Sequence, residues 1–99
     1  MINVSPEQLK IVLEILQKHS PDCEVRVFGS RFTGTPKTYS DLDLAVVGER
    51  KLEWRQLAEL KDAFEDSNLP FRVDLLDWHA ISPEFKKIIE QGYEIIYPL

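Results

Sequence analysis

The sequence predicts a small α/β domain, and three observations carry that reading. Apolar residues at helical spacing alternate along the chain with short β-like runs. Three of those runs, at 24–28, 41–47 and 71–76, are rich in Val, Leu and Phe and are bounded by Gly, Pro, Ser or Asn. Ninety-nine residues with 43% hydrophobic content suffice for one modest core, so a single domain over residues 1–99 is expected, with no separate substrate-binding domain.

The elements follow in order. Ser5-Pro6-Glu7-Gln8 is a helix start, with Ser5 at N-cap, Pro6 at N1 and Gln8 at N3 of a capping box. Leu9, Val12, Leu13, Ile15 and Leu16 then recur on a helical face until His19-Ser20-Pro21 stops the run. Residues 24–28 form a strand that ends at a Gly29-Ser30 corner. Residues 30–34 read as one helical turn with its N-terminus toward that corner, and 35–40, with Pro36 and Lys37, as the loop into a second strand at 41–47. After the mixed-charge turn Gly48-Glu49-Arg50-Lys51, Leu52 to Asp66 reads as an amphipathic helix through Leu57, Leu60 and Phe64, closed by Ser67, Asn68 and Pro70. Residues 71–76 make the third strand. Ser82-Pro83-Glu84 starts a last helix with Phe85, Ile88 and Ile89 inward and Gly92 at its end. Tyr93 to Tyr97 reads as a short final strand, and the apolar segment from Ile95 to Leu99 either completes the core or joins an interface.

Chemistry concentrates between Val25 and Val47. Strand side chains alternate, so Asp41 and Asp43 project from one face while Leu42, Leu44 and Val46 take the other. Two acids on one strand face make half a divalent-metal site, because Mg²⁺ takes oxygen ligands and is held by one or two carboxylates together with substrate phosphates. A phosphate-binding turn belongs nearby, and Gly29-Ser30 suits it. Glycine lets backbone approach a phosphate, and the Ser30 hydroxyl and backbone N–H groups can donate to it. Arg31 follows, either reaching the phosphates through its fork of donors or standing in solvent. The Gly29 to Gly34 spacing resembles a Walker loop, but Thr35 stands where its lysine belongs, so that reading fails. With residue frequencies of roughly 5 to 7%, Gly-Ser, ten residues and Asp-x-Asp arise together by chance in about one chain of this size per thousand.

Asp74 interrupts the apolar run of the third strand and is expected to be buried, so it needs a partner: a shared metal, Arg26 or Arg72. Asp77, one residue past that strand, competes by position as a third ligand, although its place before Trp78-His79 favours a turn role. His19 and His79 have no ligand-like companions, which argues against zinc. Cys23 is the single cysteine, so no intrachain disulfide forms, and it reads as a small packed residue. Trp54, Trp78 and Tyr93 read as core or partner surface. A net charge of -5 argues against broad neutralisation of nucleic-acid phosphates, and no direct nucleic-acid binding is expected. No apolar run approaches the ~18 residues of a membrane span and no signal peptide is evident, so a soluble cytoplasmic domain is expected.

Phe28-Gly29-Ser30-Arg31, Gly34, Ser40-Asp41-Leu42-Asp43-Leu44 and Arg72 through Trp78 together resemble the minimal nucleotidyltransferases of the DNA polymerase β superfamily, in particular the MntA-type antitoxins paired with HEPN-domain toxins. The likeness covers essentially the whole chain. It implies a palm-like nucleotidyltransferase fold with a small mixed sheet. It implies that Gly29 and Ser30, with Arg31 beside them, hold the triphosphate of ATP, and that Asp41, Asp43 and Asp74 hold two Mg²⁺. It further implies transfer of AMP to a tyrosine of a small helical HEPN-type RNase, probing for which would begin with its neighbouring gene. Two other classes stay open: a non-catalytic module that neutralises its partner by contact, and a transferase acting on a small molecule.

Overall fold

The computed structural model describes residues 4–29 and 41–98. The elements are α1 (Pro6–His19), β1 (Glu24–Phe28), β2 (Leu42–Val47), α2 (Trp54–Glu65), β3 (Val73–Asp77), a 3-10 turn (Trp78–Ala80), α3 (Pro83–Glu90) and β4 (Glu94–Tyr97). The turn expected at 30–34 and the loop at 35–40 lie outside the described residues.

Helix α1 starts as its sequence requires. The Ser5 Oγ accepts from the Gln8 N–H at 3.1 Å while the Gln8 Oε1 accepts from the Ser5 N–H at 2.9 Å, closing the capping box. Such a cap stabilises by about 1 kcal/mol. Helix α2 begins two residues later than its apolar period suggests, at Trp54, because Glu53 sits in an extended conformation ahead of it. The third strand is likewise shifted to Val73–Asp77.

The four strands lie in the order β3-β2-β1-β4. β1 is antiparallel to both β2 and β4, and β2 is parallel to β3, with α2 as the crossover. The sheet is therefore mixed. Period-two alternation sends Val25, Val27, Leu42, Leu44, Val46, Leu75 and Ile96 to one face, where they form a single core with Val12 and Leu16 of α1 and Leu60 and Phe64 of α2. Burying each large aliphatic side chain stabilises by about 1.5–3 kcal/mol, so this face holds the fold together.

The other face carries Arg26, Phe28, Asp43, Ala45, Asp74 and Leu76, as the strand registers require. The 3-10 turn, α3 and the start of β4 cover part of it. The Arg26 guanidinium lies between the rings of Trp78, 4.8 Å away, and Tyr93, 4.7 Å away, and pairs with Glu24. Phe28 meets Phe85 edge to face at 6.1 Å. Eight residues of α3 give only one contact line, and Ile89 takes it fully. Ile88, expected inward, is 61% exposed, one residue and thus about 100° around the helix from Ile89. The final strand forms as Glu94–Tyr97 and completes the core through Ile96, while Ile95 points away from it.

Candidate active site

Three strand ends converge at one end of the sheet. Parallel β2 and β3 both begin there, and antiparallel β1 finishes there at Gly29. In the β2/β3 register Asp43 is the direct neighbour of Asp74, so both carboxylates project from the same face. In the β1/β2 register Asp43 also faces Phe28, which sets Gly29 beside it. Gly29 adopts φ 78°, and a Cβ added there would collide with the Asp43 carboxylate. Only glycine meets both demands without strain. Asp41 lies just ahead of β2, one strand period from Asp43.

Asp43 feels the other two acids. Burial, then the carboxylates of Asp74 and Asp41, pushes the Asp43 carboxyl up from 3.8 to about 6. A site whose central acid resists ionisation until positive charge arrives fits a divalent cation. Among the described residues no group of three or more His, Cys, Asp or Glu side chains is placed to hold a metal ion. One or two carboxylates suffice for Mg²⁺ when substrate oxygens and waters complete its shell. The arrangement is thus a half site open on one side.

Asp74 departs from expectation in one respect. It is exposed, not buried, because the face it joins is open at this end; the break in the apolar pattern marks a change of face. Arg26, one alternative partner, is instead committed to Glu24 and the two rings. Asp77 is the acid that is buried, at 5% exposure, and it is the last residue of β3 rather than one beyond it. Its Oδ2 accepts from the Leu52 N–H at 2.9 Å and its Oδ1 from the His79 N–H at 3.1 Å. The His79 ring also bonds the Gly48 carbonyl at 2.7 Å. Asp77 therefore ties loops at the far end of the sheet and is no companion of Asp74. Cys23 is packed in the core, and burial, with Asp22 and Asp77 adding, pushes its thiol up. Ser30 and Arg31, the other expected phosphate contacts, lie outside the described residues.

One feature beside the acids has no sequence signal. A cavity of about 290 Å³ opens between the end of α2 and the outer edge of β3, lined by Lys61, Phe64, Leu69, Phe71, Arg72 and Asp74 among others. Its residues all fall between Lys61 and Leu75, and only the strand order shows that, among the described residues, β3 has no neighbour on that side.

The profile of the family described as polymerase beta, nucleotidyltransferase, matches residues 10–98. The chain belongs to this nucleotidyltransferase family. Within it, the chain is 47% identical over 95 residues to the probable protein adenylyltransferase MntA of Haemophilus influenzae, covering 96% of this chain and 83% of that one. Its fold is similar to a crystallised toxin-antitoxin with AMP-PNP, at TM-score 0.76 and 24% identity over 90% of this chain and 72% of that one. It is also similar to the complex of a tri-AMPylated Shewanella oneidensis HEPN toxin with an MNT antitoxin, at TM-score 0.61 and 20% identity over 92% and 70%. The nucleotidyltransferase fold is thus the one observed: a mixed sheet with the acids on its open face. Among the described residues no helix is long and apolar enough to cross a membrane.

Proposed function

We propose that this nucleotidyltransferase transfers AMP from ATP to a tyrosine of a HEPN-type RNase and acts as its antitoxin, working as one domain over residues 1–99. The observation that carries the reading is the pairing of Asp43 with Asp74 on one sheet face, against a glycine that leaves no room for a side chain. The naming of the Haemophilus influenzae relative and of the HEPN complexes supports the substrate and partner.

Asp41 and Asp43 would hold two divalent ions, Mg²⁺ by their all-oxygen donor set, with Asp74 as third carboxylate. When bound, the ions supply charge neutralisation for the triphosphate and make the acceptor hydroxyl more acidic. The chain's own residues position the rest. Gly29 leaves backbone room for the β- and γ-phosphates, and Ser30 and Arg31 are the side chains proposed to donate to them. Asp74, exposed beside Asp43, orients the tyrosine hydroxyl and accepts its proton. The Oη–Pα bond forms in line as the bond from Pα to the bridging oxygen breaks, and pyrophosphate leaves with that electron pair.

Incubation of the purified protein with the HEPN-type protein encoded beside it, α-labelled ATP and Mg²⁺ tests this directly. Label on the partner's tyrosine, with loss of its RNase activity, is expected. An RNase silenced without label would instead mean that contact alone neutralises it.

A further inference from the structure

We propose that the groove beside Asp74 is a docking track for the acceptor, in which an extended segment of the acceptor protein adds to the sheet along the free edge of β3. This rests on the transferase reading and extends it to how the hydroxyl arrives.

Among the described residues β3 is the terminal strand on its side of the sheet. The phase of its hydrogen bonds is fixed by one contact, in which the Leu42 N–H donates to the Arg72 carbonyl at 2.8 Å. In a parallel ladder alternate residues direct both backbone groups to the same neighbour. Arg72, Asp74 and Leu76 therefore face β2, whereas Val73 and Leu75 turn their N–H and C=O groups outward. Among the described residues, no turn, loop or cap bond uses those of Val73 or Leu75. Val73 and Leu75 are among the residues lining the cavity, together with Lys61, Phe64 and Glu65 at the end of α2. The outward groups form the kind of edge to which extended peptides add by main-chain pairing.

The register makes the proposal specific. An added strand lies ~4.8 Å outside β3. Its residue level with Asp74 projects, like Asp74 and Asp43, onto the acid-bearing face. A long side chain such as tyrosine's crosses that spacing and brings its hydroxyl over Asp74, while serine's stops short. The residues on either side of it point the other way, into the groove, where Leu69 and Phe71 offer apolar contact and Lys61, Glu65 and Arg72 offer charged partners. Continuity of the groove with Asp74 favours the acceptor over an unrelated ligand as its occupant.

The exchange test uses the full-length protein, α,β-methylene-ATP, whose Pα–Pβ bridge is not cleaved, and the partner that wild type labels with ATP. Amide exchange at Val73 and Leu75 should slow at least about tenfold when the partner binds, since both N–H groups gain acceptors. Val73→Pro, which removes one outward donor at an edge position where proline is tolerated, should raise the KM for the partner at least about tenfold more than the KM for ATP. Unchanged exchange at both amides in a complex that co-elutes, with a partner that wild type labels with ATP, overturns the track and leaves the transferase reading standing. That result stands even if Val73→Pro fails to fold, because the exchange measurement uses wild type. A wild-type protein that labels nothing removes both readings together.

Discussion

Asp74 and Asp77 lie on the same five-residue strand, yet the molecule treats them in opposite ways. Asp77 points to the core side, is almost fully buried and has two backbone N–H donors, one from each of two loops. Asp74 points to the open side, is exposed, and stands close enough to Asp43 for its charge to push that carboxyl up. The one acid is satisfied by the protein; the other, in the proposed mechanism, is left for something the protein binds. Difference in partners, more than in position along the chain, separates a structural acid from a functional one.

The sharpest way to break this contrast is Asp43→Asn. Label transfer to the partner should fall by about 10²–10³-fold or more, the scale of losing a preorganised electrostatic group, while the melting temperature at pH 7.5 equals or exceeds that of wild type. Full transfer by this variant would sink the acid assignment. Gly29→Ala should follow, costing about 1–3 kcal/mol through its positive φ and the collision with Asp43, and losing transfer as well. Thermal melts read the first effect and the label assay the second. Asp77→Ala should cost a similar or slightly smaller amount, about 1–3 kcal/mol, because it strands the Leu52 and His79 N–H groups. Its transfer rate per folded molecule should stay within about twofold, and a selective loss of kcat would place Asp77 with the site after all.

The smallest effect sharpens the comparison through pH. Asp43 has a folded value of about 6 against an ordinary 3.8, so folding favours its protonated form. Its contribution to the stability of metal-free protein is thus most favourable below about pH 4 and is lost as pH rises through about 6. In chelator, the melting temperature of Asp43→Asn should gain on wild type over that interval, by roughly a few degrees given partial solvent screening. Added Mg²⁺ should shrink the gap by stabilising wild type. A gap independent of pH would mean that Asp43 is not strained by its neighbours.

Much of this was readable beforehand. The Ser5 capping box, the strand at 24–28 and the placement of Asp43 rest on local rules, capping and alternation, that a linear sequence carries. Asp74 was readable as an interruption but not as an exposed one, since a five-residue pattern does not say which face is covered. That depends on how far α3 reaches, and α3 also leaves Ile88 outside contrary to its apolar spacing. The cavity beside β3 was out of reach for the same reason: strand order is set by tertiary pairing, and β4 could have joined either edge. The nucleotide-binding contacts of Ser30 and Arg31 remain readings of the sequence.

The choice made by β4 has a consequence for engineering. Because it pairs with β1 and lies on the side away from β3, the register that sets Asp43 beside Asp74 uses none of its backbone groups. Changes along the outer margin of β4 are therefore separated from the acid pair by the whole width of β1.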